Sequence, residues 1–339
     1  MTRVLVIQTA FAGDLILALP LVQEAARLLP GARIDLLCIP ATATLVEGHP
    51  DVHELIVYNK RGRESMTALA RRLRATGYSL VLCPHRSVRS ALLAFATGTP
   101  RRVAFDRSAG RWLFTDTVPY RQDAHEVQRN LDLLACIDAR VDRSARPILI
   151  PSPRDVEDAA RFVSDTVGDT PYVCLAPGSV WATKRWTIRG FAETAQALST
   201  EHAVILIGGP DDAAVCAAVE AAAGPGVCVN AAGVLRFPST AALIARARLL
   251  VSNDSAPVHI AVAVGTPVVD IYGPTAPRFG FAPYGVPHEI VERTGLSCRP
   301  CAIHGGNRCP IGTFECMDLL GSDRVVAAAR RLLAAGTSP

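Results

Sequence analysis

Residues 249–275 read LLVSNDSAPVHIAVAVGTPVVDIYGPT, and their order decides the fold. The apolar run at 249–251 predicts a strand, and Asp254 predicts the cap of a following helix. Pro257 stands near that helix start, where its missing N–H costs nothing. Gly265, Thr266 and Pro267 interrupt the apolar run, residues 268–272 predict a second strand, and Tyr272-Gly273-Pro274-Thr275 turns beyond it. Strand, helix and strand in succession form the βαβ unit of a parallel sheet. Ligands of such sheets gather at the carboxyl ends of the strands. The N–H groups near Ser255 and Ala256, aided by the helix dipole, are therefore a candidate anion site. His259, in the second turn, could face the same place; the bland alternative is a well-capped helix with a core histidine.

The alternation extends outward in both directions. In the first half, residues 3–9, 33–39, 54–57, 79–83 and 102–104 read as strands, with helical patterns near 15–29, 65–76, 87–96 and 124–137. The rhythm restarts with strand-like runs at 172–176, 203–207, 227–230, 249–251 and 268–272, separated by Ala-rich helices. Between the two series lies RPILIPSPRDVEDA, residues 146–159, whose prolines Pro147, Pro151 and Pro153 resist both helix and central strand. This segment reads as a linker. The expected architecture is α/β: two doubly wound domains, residues 1–150 and 151–322, with a ligand cleft where the carboxyl ends of both sheets meet. Residues 323–339 are expected to be a C-terminal helix and tail that folds back across either domain.

Composition narrows the function. A chain of 339 residues, half of them hydrophobic, is long enough for two cores and is neither disordered nor fibrous. Its apolar stretches are too short or too broken for a membrane span, as at 262–269, and MTRVLVIQTA runs directly into a strand without a cleavable leader. A cytoplasmic protein is the expectation. Residues 1–150 carry 20 basic and 14 acidic side chains, whereas residues 151–339 carry 15 and 17. The first half is thus suited to something anionic, such as a phosphorylated glycolipid or a membrane surface, unless the imbalance is an ordinary fluctuation. Nucleic acid is disfavoured, because the arginines are scattered and aromatics make up only 6%. Only Lys60 and Lys184 are lysines.

Two more segments could carry chemistry. In Gln8-Thr9-Ala10-Phe11-Ala12-Gly13-Asp14, a glycine and a carboxylate precede the first helix at the carboxyl end of the first strand. Asp14 is a candidate catalytic acid or base, or else a structural N-cap. A G-x-G-x-x-G fingerprint is missing, which argues against a dehydrogenase. In Ala176-Pro177-Gly178-Ser179-Val180-Trp181-Ala182-Thr183-Lys184-Arg185-Trp186, a strand enters a small-residue turn and then a basic pair between tryptophans. Gly178 and Ser179 can present N–H groups and a hydroxyl to phosphate, and Lys184 can add a compact charge. The competing reading is a surface Lys-Arg pair beside a core tryptophan.

Taken in order and spacing, Ala12-Gly13-Asp14, Pro177-Gly178…Lys184-Arg185-Trp186, Asn253-Asp254-Ser255…His259 and Tyr272-Gly273-Pro274-Thr275 resemble the ADP-heptose:lipopolysaccharide heptosyltransferases of glycosyltransferase family nine. The likeness is greatest to the heptosyltransferase II branch and covers essentially the whole chain. It implies a GT-B fold, with the acceptor mainly on the first Rossmann-like domain and the nucleotide sugar mainly on the second. The implied reaction moves L-glycero-D-manno-heptose, with inversion, from ADP-heptose to the lipopolysaccharide inner core, as its second heptose. The acceptor would be the lipid A–Kdo core at the inner face of the cytoplasmic membrane, touched transiently by a peripheral enzyme. Carried over by position, Asp14 matches the general base and Lys184 the lysine of the donor diphosphate. Gly178, Ser179, Val180, Asp254, Ser255, Ala256 and His259 fall in the donor-binding runs, and Ala12 and Gly13 lie on the acceptor side. Val180 offers only its backbone where relatives often carry a hydroxyl, and Ala256 stands where many have Gly. No cofactor is required by this reading, although Mg2+ could accompany the diphosphate. Its rivals are another GT-B enzyme, such as a nucleotide-sugar 2-epimerase, and a nucleotide-sugar-binding protein without catalysis.

The remaining signal is the cluster Cys298, Cys301, Cys309 and Cys316, with His304 inside it. One C-x2-C and two further thiols could close a structural zinc site, pack a loop as reduced thiols, or pair by oxidation. Nothing in glycosyl transfer needs a thiolate.

Overall fold

A computed structural model describes residues 2–336, and its chain divides into two compact units, 1–150 and 151–339. The expected tail residues 337–339 lie outside the described residues. The first unit opens with β1 (Arg3–Ile7), α1 (Ala12–Leu28), β2 (Arg33–Cys38), α2 (Pro40–Ala43) and β3 (Glu54–Val57). It continues with α3 (Met66–Thr76), β4 (Leu80–Cys83), α4 (Val88–Ala96), β5 (Arg101–Phe105), β6 (Asp116–Val118) and α5 (Glu126–Ala135). The second unit runs α6 (Pro153–Thr166), β7 (Tyr172–Ala176), α7 (Ile188–Leu198), β8 (Ala203–Leu206), α8 (Ala213–Ala223) and β9 (Val229–Asn230). Next come α9 (Phe237–Arg246), β10 (Leu250–Asn253), α10 (Ala256–Val264), β11 (Val268–Tyr272) and β12 (His288–Glu292). The last helices are α11 (Glu315–Asp318) and α12 (Ser322–Ala335).

Both sheets have the same winding. Their strand orders are β3-β2-β1-β4-β5-β6 and β12-β11-β10-β7-β8-β9, and every pair of neighbouring strands is parallel. Counted within its own unit, the second order is the first one reversed. Each sheet therefore changes direction between its first and fourth strands, at β1/β4 and at β7/β10, and the crevice beyond such a switch point takes the ligand. Helices cover both faces, so the central strands are continuously apolar: Val4–Ile7 in β1 and the whole of β7 are buried. The second core joins Val173, Leu175, Phe191, Val251 and Met317 on one side of that sheet.

Three local expectations change. Pro153 does not resist helix; it occupies the first turn of α6, and the Ser152 hydroxyl accepts the Asp155 N–H at 3.3 Å as its cap. A proline there gives up only an N–H that has no helical partner, so the linker is shorter than residues 146–159. Short strands β6 and β12 complete the sheet edges, where their half-exposed residues leave little apolar pattern to read. The C-terminal helix α12 packs on α7, β11 and β12 of the second unit. Among the described residues no helix is long and apolar enough to cross a membrane.

Candidate functional site

At the switch point of the first sheet, Thr9 follows β1 and His85 follows β4. The Thr9 hydroxyl lies 2.9 Å from His85 Nδ1, which also meets the Ser90 hydroxyl at 2.9 Å. Lys60 reaches in from the loop after β3 and donates to the Thr9 carbonyl at 3.2 Å. Burial, then Lys60 and Arg86, push the His85 imidazole down to about 4, so it is neutral at pH 7. The sequence reading passed over His85 and Ser90; the solitary lysine at 60 was the available signal.

Asp14 lies in the first turn of α1, whose cap is Phe11 without a side-chain bond. Asp14 is thus not the N-cap, and, like Ala12 and Gly13, it is half-buried. Desolvation, followed by the nearby charge of Glu126, raises its carboxyl to about 6, against the pull of the Phe11 and Asp14 N–H groups and Arg86. Such a group is ionised at neutral pH yet basic enough to take a proton, as a general base requires. Glu126 belongs to a buried set: Arg129 Nη1 donates to its Oε2 at 2.8 Å, and the Tyr120 hydroxyl does so at 2.8 Å. Asn130 on the same helix donates to the Leu17 carbonyl at 3.0 Å, which fixes α5 against α1.

The second sheet brings together the Pro177 turn and residues 253–255. Asn253 is fully buried; its Nδ2 donates to the Pro177 carbonyl at 2.8 Å, and its Oδ1 accepts the Trp186 N–H at 2.9 Å. Replacing Asn253 with Ala would orphan both partners, and we expect a loss of about 2 kcal/mol in the denaturant midpoint analysis of this unit. Lys184 donates from Nζ to Asp254 Oδ2 at 2.6 Å and to the Asp254 carbonyl at 3.0 Å. The Thr275 hydroxyl donates to the same carboxylate oxygen at 2.6 Å. Asp254 therefore does not cap α10. Its two strong partners lie elsewhere, and the cap is Ser255, in extended backbone, whose hydroxyl donates to the Gly178 carbonyl at 3.5 Å and makes no capping bond to the helix. The Ser255 and Ala256 N–H groups stand at the positive end of α10, beside the lysine, and His259 is buried one turn in.

Of the remaining residues, Ser179 is buried and Val180 is 73% exposed. A Cβ at Gly178 would meet the Asp212 carboxylate, so any larger residue there would require that side chain to swing away. Asp270 was not foreseen. It is fully buried, and desolvation, then Asp254, push its carboxyl well above the usual range.

The cysteine loop forms a wall of this site. Gly306 donates its N–H to Thr183 Oγ1 at 2.8 Å and accepts the Thr183 N–H at 3.0 Å, while Cys301 donates its N–H to the Pro274 carbonyl at 2.8 Å. Among the described residues no three Cys, His, Asp or Glu side chains are gathered to hold a metal ion, and Cys298, Cys301, Cys309 and Cys316 are free thiols. This arrangement differs from the four-thiolate zinc reading. The Cys301 thiol turns to the Cys298 carbonyl at 3.0 Å, and burial pushes the Cys316 thiol up to about 11 within the apolar core. Only Cys309, which accepts backbone N–H groups from Phe314, Ile311, Gly312 and Thr313, is shifted downward.

Known proteins share this plan. The sequence model of Glycosyltransferase family 9 (heptosyltransferase) matches residues 66–306. Lipopolysaccharide heptosyltransferase 3 of Escherichia coli is 29% identical over 281 residues, covering 78% of this chain and 82% of its own. The crystal structure of a family 9 glycosyl transferase from Veillonella parvula superposes with a TM-score of 0.85 at 24% identity, covering 98% of this chain and 97% of that one. The E. coli ADP-heptose lps heptosyltransferase II does so with a TM-score of 0.83 at 24% identity, covering 99% and 100%. The architecture of two parallel six-stranded sheets flanked by helices is that of the GT-B fold.

Proposed function

The chain belongs to glycosyltransferase family 9, and from that membership we propose that it transfers L-glycero-D-manno-heptose from ADP-heptose to the inner core of a lipopolysaccharide, with inversion. The observation that carries the donor half is Lys184, whose ammonium is brought to the start of α10, where backbone N–H groups and the helix dipole favour a diphosphate. The acceptor half rests on Asp14, a carboxylate tuned toward neutral pH at the carboxyl edge of the other sheet. In the proposed step the acceptor hydroxyl gives its proton to Asp14 while its oxygen forms the new bond to the anomeric carbon. The bond from that carbon to the diphosphate breaks on the opposite face, and ADP leaves with the electron pair. Lys184 and the α10 N-terminus stabilise the charge that develops on it.

The relatives named above carry the numbers 3 and II, so the acceptor position is set apart as the finer part of the proposal. We assign the second heptose of the core, on the earlier likeness to the heptosyltransferase II branch. A glycolipid acceptor also places the enzyme at the inner face of the cytoplasmic membrane as a peripheral protein. The test is incubation with ADP-heptose and two lipid A–Kdo acceptors, one bare and one carrying a single heptose. One heptose should be added to the second acceptor alone, with inverted anomeric configuration by NMR. Epimerised or hydrolysed sugar as the main product, with no acceptor consumed, would overturn the transferase reading. Transfer to the bare acceptor would overturn only the assignment of position.

A further inference from the structure

We propose that the exposed face of α4, together with the short turn Arg111–Leu113, is the surface by which this protein docks on an anionic lipid bilayer. Val88, Leu92 and Phe95 recur at i, i+4 and i+7, which aligns them along one side of the helix. They are 52%, 40% and 53% exposed, while Ala91, Leu93 and Ala94 face the core. Aliphatic and aromatic side chains aligned along a helix usually face a core; here that side meets solvent. Trp112 in the adjoining turn is 79% exposed.

The turn is pinned to α4. A Cβ at Gly110 would lie 3.0 Å from that of Ala91, and its φ of +77° favours glycine. Arg102 Nε donates to the Leu113 carbonyl at 3.1 Å, while the same guanidinium lies 5.6 Å from the Phe95 ring centroid. The tryptophan is therefore held outward beside the stripe.

Charge selects the partner. Residues 60–111 carry 12 Lys and Arg against two acidic side chains, Glu64 and Asp106. Arg71, Arg74, Arg89, Arg107 and Arg111 among them are exposed, and the Arg74 guanidinium flanks Gly98 just past the end of α4. Aromatic and aliphatic side chains ringed by arginine fit the interface of an anionic bilayer, where the rings enter the headgroup layer and the cations meet lipid phosphate. A nucleic acid would use the arginines and leave Val88 and Leu92 without a role. The proposal extends the glycolipid reading by naming the face that meets the membrane, and vesicle binding tests it without any turnover.

The full chain is floated with vesicles of phosphatidylethanolamine and phosphatidylglycerol, and separately with phosphatidylcholine alone. Binding should be confined to the anionic vesicles. It should be accompanied by a blue shift of tryptophan emission that W112F removes, because Trp186 is buried and Trp181 half-buried. The triple variant L92S/F95S/W112S and the pair R74E/R111E should each weaken binding at least about tenfold. Both should keep full transfer to a de-acylated acceptor, which also shows that they fold. Absent vesicle binding, binding indifferent to the apolar substitutions, or equal retention by heparin and DNA would overturn the docking surface. Vesicle binding without any transfer would leave this surface standing and remove the transferase reading instead; transfer without vesicle binding would do the reverse.

Discussion

Replacing Asp14 with Asn is expected to lower the rate constant of transfer by about 10²–10⁴-fold, the usual worth of a positioned general base. Affinity for ADP, read by titration calorimetry, should hold within a factor of about two, because the lost interaction forms only as the acceptor proton moves. The wild-type rate should also fall as pH drops through about 6, where the Asp14 carboxylate takes up the proton it needs to be without. Glu126 helps to hold that value up, so Glu126→Gln should move the acid limb to lower pH. Stability supplies an independent sign. The folded value lies above the ordinary 3.8, so folding binds a proton between those limits; the penalty from Asp14 builds as pH rises from the ordinary value and is complete above about 6. At pH 8 the Asn variant should gain about 1–2 kcal/mol, allowing for partial solvent screening, and melt a few degrees higher. A carboxylate that merely supports the first turn of α1 would give the opposite: retained turnover and a lower Tm.

How much of this was legible before the structure depends on which physical cue each residue leaves. The continuous apolar runs of β1, β7 and β10 declared buried parallel strands, because both of their faces are covered. Edge strands β6 and β12 left no such trace, since half-exposed positions tolerate polar residues. Lys184 and Asp254 were each singled out from local turn chemistry, yet their 2.6 Å contact was not, as it spans 70 positions of chain. Local chemistry alone points to Asp254 as the cap of α10, whereas its carboxylate is committed to Lys184 and Thr275. Asp270 sits in the run VVDIY, where a single acid in a strand offers no hint of whether it faces core or solvent. His85 had no motif at all, and only the return of β4 beside β1 places it against Thr9. Register between distant strands, more than local propensity, is what the chain conceals.

Lys184→Met should lower kcat/KM for the donor by about 10²–10³-fold, the cost of removing one preorganised charge from a developing anion. It should also destabilise the second unit, and the two effects can be separated. Both side chains of the Lys184–Asp254 pair are nearly buried, at 12% and 8% exposed. Removing one member of such a pair strands the other charge, at a typical cost of about 3–5 kcal/mol. The neighbouring Asp270 sharpens the outcome, since Lys184 is the cation that draws its carboxyl downward against burial and Asp254. Without the ammonium, Asp270 loses the cation that draws its carboxyl down, so its folded value moves still further above the unfolded one. The penalty should then be smallest at acidic pH and should grow as pH rises through neutrality, in denaturant titrations at pH 5.5 and 8. Adding Asp254→Asn to Lys184→Met should return most of the stability, because no buried charge is left alone, yet none of the turnover. If the double variant recovered transfer as well, Lys184 would be a structural partner of Asp254 alone, and the diphosphate would have to be held elsewhere. If instead stability returns without activity, the ion pair is a resting arrangement: the diphosphate must compete with Asp254 for the ammonium, so part of the donor's binding energy goes into breaking the pair. Donor affinity in Asp254→Asn, where that competitor is neutral, should consequently exceed the wild-type value wherever ADP alone is the probe.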